Sequence, residues 1–218
     1  IELAIDENQP KLVYLCNPNN PTGNLLSRDW IKQLLVKFPE IVFLVDEAYH
    51  EFSGVSNASD TGNFANLFIS RTFSKAFALA GFRAGYLISH AENIEKINRI
   101  RNAKNFTTLT QVAVIAALKD FDYTRSYIAE VNETKNWFSQ QVLDIISSSK
   151  VYSSYGNYVL IELTSQKERD YIFNELAKEN IFVRSLSHHP SLNHCFRITI
   201  GTKNQMQRVC EVLKAMFQ

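Results

Sequence analysis

A lysine stands among phosphate-binding residue types in the stretch "RTFSKAFALAGFRAGY", residues 71–86. Lys75 follows an apolar run, where a lysine is costly unless its ammonium has a task or a partner. A desolvated lysine amine is a nucleophile that can form a Schiff base with a carbonyl compound. The hydroxyls of Thr72 and Ser74 and the guanidinium of Arg83 can all bind phosphate. The alternative is an ordinary surface lysine, but these neighbours favour a site for a phosphorylated carbonyl compound.

Three more polar residues lie in or just after the C-terminal part of predicted strands, where ligands of open α/β folds bind. Asp46 ends the apolar run "IVFLV", and a buried carboxylate there needs a cationic partner or a change of protonation. A helix cap or a salt bridge is the alternative. Tyr49 can turn its phenol toward the same crevice. Asn20, in "NPNNPTG", either presents an amide to a planar ligand or belongs to a turn that only redirects the chain.

An aldehyde with a phosphate, a phenolate oxygen and a pyridine nitrogen would use every one of these groups. Pyridoxal 5′-phosphate is that molecule. A metal site is not predicted, because the histidines and cysteine of "HHPSLNHC" (residues 188–195) match no familiar zinc-ligand spacing. A serine nucleophile at Ser74 activated by Lys75 is rejected, since the SxxK spacing and its companion motifs are missing.

Composition indicates an ordinary globular chain. Its 218 residues, 45% hydrophobic and with a net charge of +1, suffice to bury a core. The dispersed charges predict neither a nucleic-acid partner nor a membrane partner, and no apolar run approaches the ~18 residues of a spanning helix. Three cysteines without CxxC spacing favour a reducing cytoplasm.

The elements that must position these residues alternate between short apolar runs and helical patterns. This alternation predicts an α/β fold with a parallel sheet flanked by helices. The predicted strands cover residues 11–16, 41–49, 66–73 and 85–89, and the predicted helices cover 27–38, 92–104 and 109–147, the last broken near 120–122.

The order of predicted strands and helices changes near Ser148. A strand at 158–163, a helix at 168–179, strands at 181–186 and 195–200 and a helix at 205–217 predict a small α+β layer with a partly antiparallel sheet. We therefore expect a large domain over 1–110, connecting helices over 111–147 and a small C-terminal domain over 148–218.

Four segments together resemble the class I/II aminotransferases of fold type I, and most closely their histidinol-phosphate aminotransferase branch. In order they are "NPNNPTG", "VDEAYHEF", "RTFSKAFALAGFRAGY" and "FRITIGT". The resemblance implies the pyridoxal-phosphate-dependent fold type I, with an incomplete, mostly parallel large-domain sheet and the small domain. It also implies a homodimer that moves an amino group between an amino acid or histidinol-phosphate-like amine and a 2-oxo acid. The alternatives are a phosphoamino-acid decarboxylase, similar to threonine-phosphate decarboxylase, or an inactive fragment.

The resemblance also implies roles for single residues. Lys75 would bind the cofactor aldehyde and move the proton between the substrate α-carbon and the cofactor C4′. Asp46 would pair with the pyridinium nitrogen. Asn20 and Tyr49 would hydrogen-bond the phenolate oxygen of the ring.

The remaining matched positions bind anions in the relatives. Thr72, Ser74 and Arg83 would bind the cofactor phosphate. Arg197, in "FRITIGT", would bind the substrate carboxylate or phosphate, and Arg184 a second substrate anion. The alternative for Arg197 is a strand arginine on a solvated face.

Two departures accompany the resemblance. The family's chains are longer at the N-terminus, where they supply a phosphate-binding loop, an aromatic residue that stacks on the ring and a tyrosine from the dimer partner. We therefore expect a fragment of a longer protein. In addition, "NAKNFTTLTQ" (residues 102–111) occupies the place of a proline-tyrosine pair of the histidinol-phosphate branch.

Overall fold

The structure, a computed structural model, describes residues 1–102 and 105–217. The chain divides into two compact units. The first contains Ile1–Asn19 and Leu25–Thr124, and the second contains Asn20–Asn24 and the residues from Arg125 onward. This division falls inside the predicted connecting segment, 111–147. In the described ranges, no helix has both the length and the hydropathy that crossing a bilayer requires.

The first unit contains a four-stranded sheet in the order β1-β2-β3-β4. The first three strands are parallel and β4 pairs with β3 in antiparallel orientation, so the predicted, mostly parallel sheet is confirmed. The elements are α1 (Glu2–Asn8), β1 (Leu12–Cys16), α2 (Arg28–Lys37), β2 (Val42–Asp46), α3 (His50–Ser53), β3 (Leu67–Thr72), β4 (Gly85–Ser89), α4 (Ala91–Ile100), α5 (Thr108–Lys119) and the start of α6 (Phe121–Ile145).

One face of this sheet forms the core with α2. The helix begins after Ser27, whose Oγ accepts a hydrogen bond from the Trp30 amide at 3.2 Å, as an N-cap residue does. The core cluster includes Ile31, Leu34 and Leu35 of α2, Phe43 and Val45 of β2, and Leu67 and Ile69 of β3. Because side chains alternate along a strand, Asp46 lies on the opposite face of the sheet from Val45.

The second unit contains an antiparallel sheet in the order β5-β6-β8-β7. Helix α7 contacts both α8 and β8. The elements are the remainder of α6, β5 (Lys150–Tyr152), β6 (Tyr158–Glu162), α7 (Gln166–Lys178), β7 (Arg184–Ser185), β8 (Cys195–Thr199) and α8 (Lys203–Phe217).

The strand predicted over 181–186 is wrong in length, because β7 pairs with β8 over two residues only. The chain leaves α7 through Asn180, whose φ is +59°, and the Ile181 amide donates to the Leu176 carbonyl at 2.9 Å. These residues complete a helix C-terminus instead of a strand. The side chain of Phe182 is 81% exposed, so burial does not stabilise a longer strand.

Other elements also differ from the prediction. The sequence does not predict α1, α3 or β5, which are short and lack a strong apolar period. The helix predicted over 92–104 ends at Ile100. Residues 103–104 of that prediction, which also belong to "NAKNFTTLTQ", lie outside the described residues.

Candidate active site

Asp46 is the last residue of β2, and the strand register pairs it with Cys16 of β1 and Ser70 of β3. The carboxyl edge of parallel strands is where α/β folds bind ligands. The Asp46 Oδ1 accepts a hydrogen bond from the Ala48 amide at 3.1 Å, and Oδ2 accepts one from the Tyr14 hydroxyl at 2.5 Å. Two donors on different elements therefore orient this half-buried carboxylate.

Lys75 and Tyr49, predicted from separate motifs, lie together. The Lys75 Nζ is 5.3 Å from the centroid of the Tyr49 ring, a distance at which a cation and an aromatic face attract. Tyr49 is buried just after β2. The turn that carries Lys75 is closed by a 3.1 Å hydrogen bond from the Ala78 amide to the Lys75 carbonyl, and it follows the buried Phe73. The primary amine is thus held beside a phenol at the end of the sheet.

The loop between β3 and β4 closes on itself, which brings its two ends together. The Phe73 amide donates to the Ala84 carbonyl at 3.1 Å. The Thr72 hydroxyl donates to the same carbonyl at 3.3 Å and accepts from the Ser74 amide at 3.1 Å. Ser74 and Arg83 are therefore the chain neighbours of two residues, Phe73 and Ala84, that are hydrogen-bonded to each other. The side chain of Arg83 is exposed, so its guanidinium is accessible to an anion.

A buried ion pair beside Asp46 was not predicted from the sequence. Glu47 is 1% exposed, and its Oε2 accepts from Arg71 Nε at 3.0 Å, from Arg71 Nη2 at 2.8 Å and from the Ser56 hydroxyl at 2.8 Å. Burial alone would lower the pKa of Arg71, but hydrogen bonds to Tyr86 and Glu47 raise it above its ordinary value. The pair fixes the backbone next to Asp46. The only signs of this ion pair in the sequence are the acidic residue after Asp46 and the arginine within an apolar strand.

The second unit holds the other three predicted site residues. Arg197 Nη1 donates to the Asn20 Oδ1 at 2.5 Å, and its guanidinium lies 4.9 Å from the centroid of the Tyr158 ring. Arg184 lies directly opposite Arg197 in the β7–β8 pairing. Both arginines line a surface cavity of about 580 Å³. Like charges directly opposite each other are unfavourable, and the described residues that line the cavity include no Asp or Glu, so this cavity favours an anion.

The histidine-rich segment does not assemble a metal centre in the described ranges, where no group of three or more possible ligands is found. The rings of His188 and His189 lie 4.2 Å apart. His194 Nε2 instead lies 3.1 Å from Glu162 Oε1. The His194 contact joins the segment between β7 and β8 to β6.

The donor set of the first unit fits pyridoxal phosphate. Lys75 offers an amine for the aldehyde, Asp46 offers a carboxylate for the ring nitrogen, and Tyr49 offers a phenol for the ring oxygen. The loop that carries Thr72, Ser74 and Arg83 offers hydroxyls and a guanidinium for the phosphate.

A family model described as aminotransferase class I and II matches residues 1–213. The chain belongs to this family. Aminotransferases of class I and II depend on pyridoxal phosphate, so the chemistry expected from Lys75 and its neighbours agrees with the family. The family assignment confirms the resemblance found in the four motifs.

Two curated relatives are similar to nearly the whole chain. A dihydroxyacetone phosphate transaminase of Campylobacter jejuni is 46% identical over 217 residues, which are 98% of this chain and 58% of the relative. A histidinol-phosphate aminotransferase of Ruminiclostridium cellulolyticum is 38% identical over 208 residues, which are 95% of this chain and 57% of the relative. The chain thus spans somewhat more than half the length of these aminotransferases.

A solved aminotransferase supports the fold. The crystal structure of histidinol-phosphate aminotransferase from Sinorhizobium meliloti in complex with pyridoxal 5′-phosphate superposes with a TM-score of 0.86 at 26% identity. The match covers 98% of this chain and 60% of that chain. The expected α/β fold of type I is therefore confirmed.

Proposed function

We propose that the protein carrying this chain is a pyridoxal-phosphate-dependent aminotransferase that moves an amino group between an amine and an oxo acid. The observation that supports this proposal most is the pairing of Lys75 with Tyr49 in a chain of the aminotransferase family. When bound, the cofactor supplies an aldehyde that holds the amino group and a ring that accepts electrons.

Each candidate residue of the first unit has a separate role in the proposed reaction. The Lys75 amine would move the proton between the substrate α-carbon and the cofactor C4′. The Asp46 carboxylate binds the protonated ring nitrogen and keeps the positive charge there. Tyr49 hydrogen-bonds the ring oxygen. Thr72, Ser74 and Arg83 bind the phosphate and so anchor the ring.

The two arginines of the second unit bind the substrate. Arg197 binds a carboxylate or phosphate, and Arg184 binds a further anion, since both guanidinium groups line one cavity. The relatives from C. jejuni and R. cellulolyticum are both named for phosphate-bearing substrates. A small phosphorylated amine or oxo compound is therefore the proposed substrate class, with an amino acid and a 2-oxo acid as the exchanging pair.

The proposed assembly is a homodimer. Helix α5 exposes an apolar surface, with Leu109 69% and Val112 59% exposed. A cavity of about 440 Å³ beside it is lined mostly by apolar side chains, among them Ile115 and Leu118. Exposed apolar surface of this kind favours association. Analytical ultracentrifugation of the unaltered protein and of Ile115→Glu tests this assembly, and a monomeric unaltered protein would contradict it.

The cytoplasm is the proposed location. Cys16, Cys195 and Cys210 form no disulfide within the described ranges, which fits a reducing compartment. Fractionation of cells that produce the protein, followed by immunodetection, tests the location.

The catalytic proposal is tested with the protein that carries this chain. After incubation with pyridoxal phosphate and reduction with borohydride, peptide mass spectrometry should find the cofactor mass on Lys75. A screen of phosphorylated oxo compounds with glutamate as donor should then yield the amine and 2-oxoglutarate. Carbon dioxide release without amino transfer would favour the decarboxylase alternative. Absence of cofactor on any lysine would support the inactive fragment.

A further inference from the structure

Tyr14 is joined to the carboxylate proposed to hold the ring nitrogen. Its hydroxyl donates to Asp46 Oδ2 at 2.5 Å. Tyr14 and Asp46 reach the same face of the sheet because Tyr14 lies two residues before Cys16, the register partner of Asp46. The Ala48 amide already binds Oδ1. The phenol therefore completes the pair of donors that fixes the plane of the carboxylate.

Packing does not explain this tyrosine. Its side chain is 54% exposed, whereas its neighbours Val13 and Leu15 point to the other face and contribute to the core. Partial desolvation, followed by the hydrogen bond to Asp46, raises the pKa of Tyr14 above its ordinary value near 10. The protonated phenol is the donor in the hydrogen bond to the Asp46 carboxylate.

We infer that Tyr14 is a positioning residue that holds the Asp46 carboxylate in the orientation required by the ring nitrogen of the cofactor. The inference rests on the proposed function, since it assumes that Asp46 binds that nitrogen. Each carboxylate oxygen has two acceptor directions, so Asp46 can accept from Tyr14 and Ala48 and still accept from the ring. Without the phenol, only the Ala48 amide restrains rotation of the carboxylate about its terminal bond, whose torsion has broad minima.

The test compares pyridoxal phosphate with its 1-deaza analogue, which has carbon in place of the ring nitrogen. We expect Tyr14→Phe to weaken binding of pyridoxal phosphate by roughly tenfold, the scale of a hydrogen bond to a charged group. Binding of the deaza analogue should not change. Equilibrium dialysis of the apoprotein gives both affinities. Tyr123→Phe, at a tyrosine that is 70% exposed on α6, is the matched control and should change neither.

The outcomes separate this inference from the proposed function. Unaltered protein that fails to bind pyridoxal phosphate would overturn the proposed function and, with it, the assumption made here. Unaltered protein that binds it, with equal affinity in Tyr14→Phe, would overturn the role of Tyr14 alone. An equal loss for both cofactors would mean that Tyr14 acts on the fold and would also overturn the role.

A second measurement leaves the side chain in place, in case Tyr14→Phe does not fold. With 3-fluorotyrosine at position 14, the ¹⁹F resonance should shift when pyridoxal phosphate binds and should shift less with the deaza analogue. An identical shift with both would contradict a link through Asp46 to the ring nitrogen.

Discussion

The two units hold their candidate residues in different ways. In the first unit, Asp46 ends a parallel strand and accepts hydrogen bonds from Tyr14 of β1 and from Ala48 in the turn after β2. In the second unit, Arg184 is exposed on a two-residue edge strand opposite Arg197. The difference fits the roles proposed for Asp46 and Arg184, because a carboxylate that holds a cofactor needs fixed donors, whereas an arginine that binds successive substrates must be reached from solvent.

The largest effect is expected in the first unit, at Lys75. Lys75→Ala should reduce turnover by roughly a thousandfold or more, since the amine is the group proposed to move the proton. Thermal stability should change little, because the side chain is not part of the core. Steady-state kinetics and a thermal melt check both expectations. Lys96→Ala, at an exposed lysine of α4, is the control and should retain normal turnover.

Asp46→Asn should reduce turnover by roughly a hundredfold. The amide keeps the shape of the site and leaves Lys75 able to bind the cofactor, but it does not hold a proton on the ring nitrogen. Asp46→Glu should be less impaired, although its longer arm misplaces the charge. Single-turnover kinetics measures the proton transfer directly. Equal rates in Asp46→Asn and the unaltered protein would refute the assigned role.

Arg83 and Arg197 offer a direct test of the contrast between cofactor and substrate groups. Arg83→Ala should weaken pyridoxal phosphate binding by roughly tenfold through loss of a charged hydrogen bond, with little change in substrate KM. Arg197→Ala should instead raise substrate KM by roughly tenfold or more while cofactor affinity stays near that of the unaltered protein. Equilibrium dialysis and steady-state kinetics distinguish them. If both variants changed cofactor affinity and substrate KM in the same way, the proposed division into a cofactor-binding and a substrate-binding arginine would be refuted.

The smallest effect concerns Lys135 of α6, a buried lysine of the second unit. Its Nζ donates to the Gly156 carbonyl at 2.8 Å and to Asn132 Oδ1 at 2.9 Å. Burial lowers the pKa of Lys135 to about 8, against about 10.4 in an unfolded chain. Between these values the unfolded chain binds more protons than the folded one, so stability should rise with pH across that window, by at most about 3 kcal/mol.

Urea unfolding at pH 7.5 and pH 10 measures this contribution relative to Lys135→Met, which carries no titrating group at that position. The unaltered protein should gain stability relative to the variant at the higher pH. An identical pH dependence in the two proteins would show that Lys135 titrates normally.

The sequence alone was enough to predict those candidate residues whose place in the fold is set by the strand next to them in the chain. Asp46 was predictable because it ends an apolar strand, and Ser74 and Lys75 because they follow the next one. The parallel order of β1 to β3 followed from the alternation of apolar runs and helices. The two-residue β7 did not follow, because its length depends on pairing with β8 and the 181–186 segment is apolar enough for a longer strand.

Only the tertiary structure shows which residues that are far apart in the chain contact each other. The sequence singled out Asn20 and Arg197 separately, but only the fold joins them by a hydrogen bond. In the sequence, Tyr14 is one more residue of a predicted buried strand. The register of β1 and β2 brings its hydroxyl to Asp46. Arg71 and Glu47 likewise become an ion pair only through the pairing of β2 with β3. Apolar periodicity specifies which face of a strand is buried, but a hydrogen bond between two polar side chains depends on the distance between their atoms, which strand register sets.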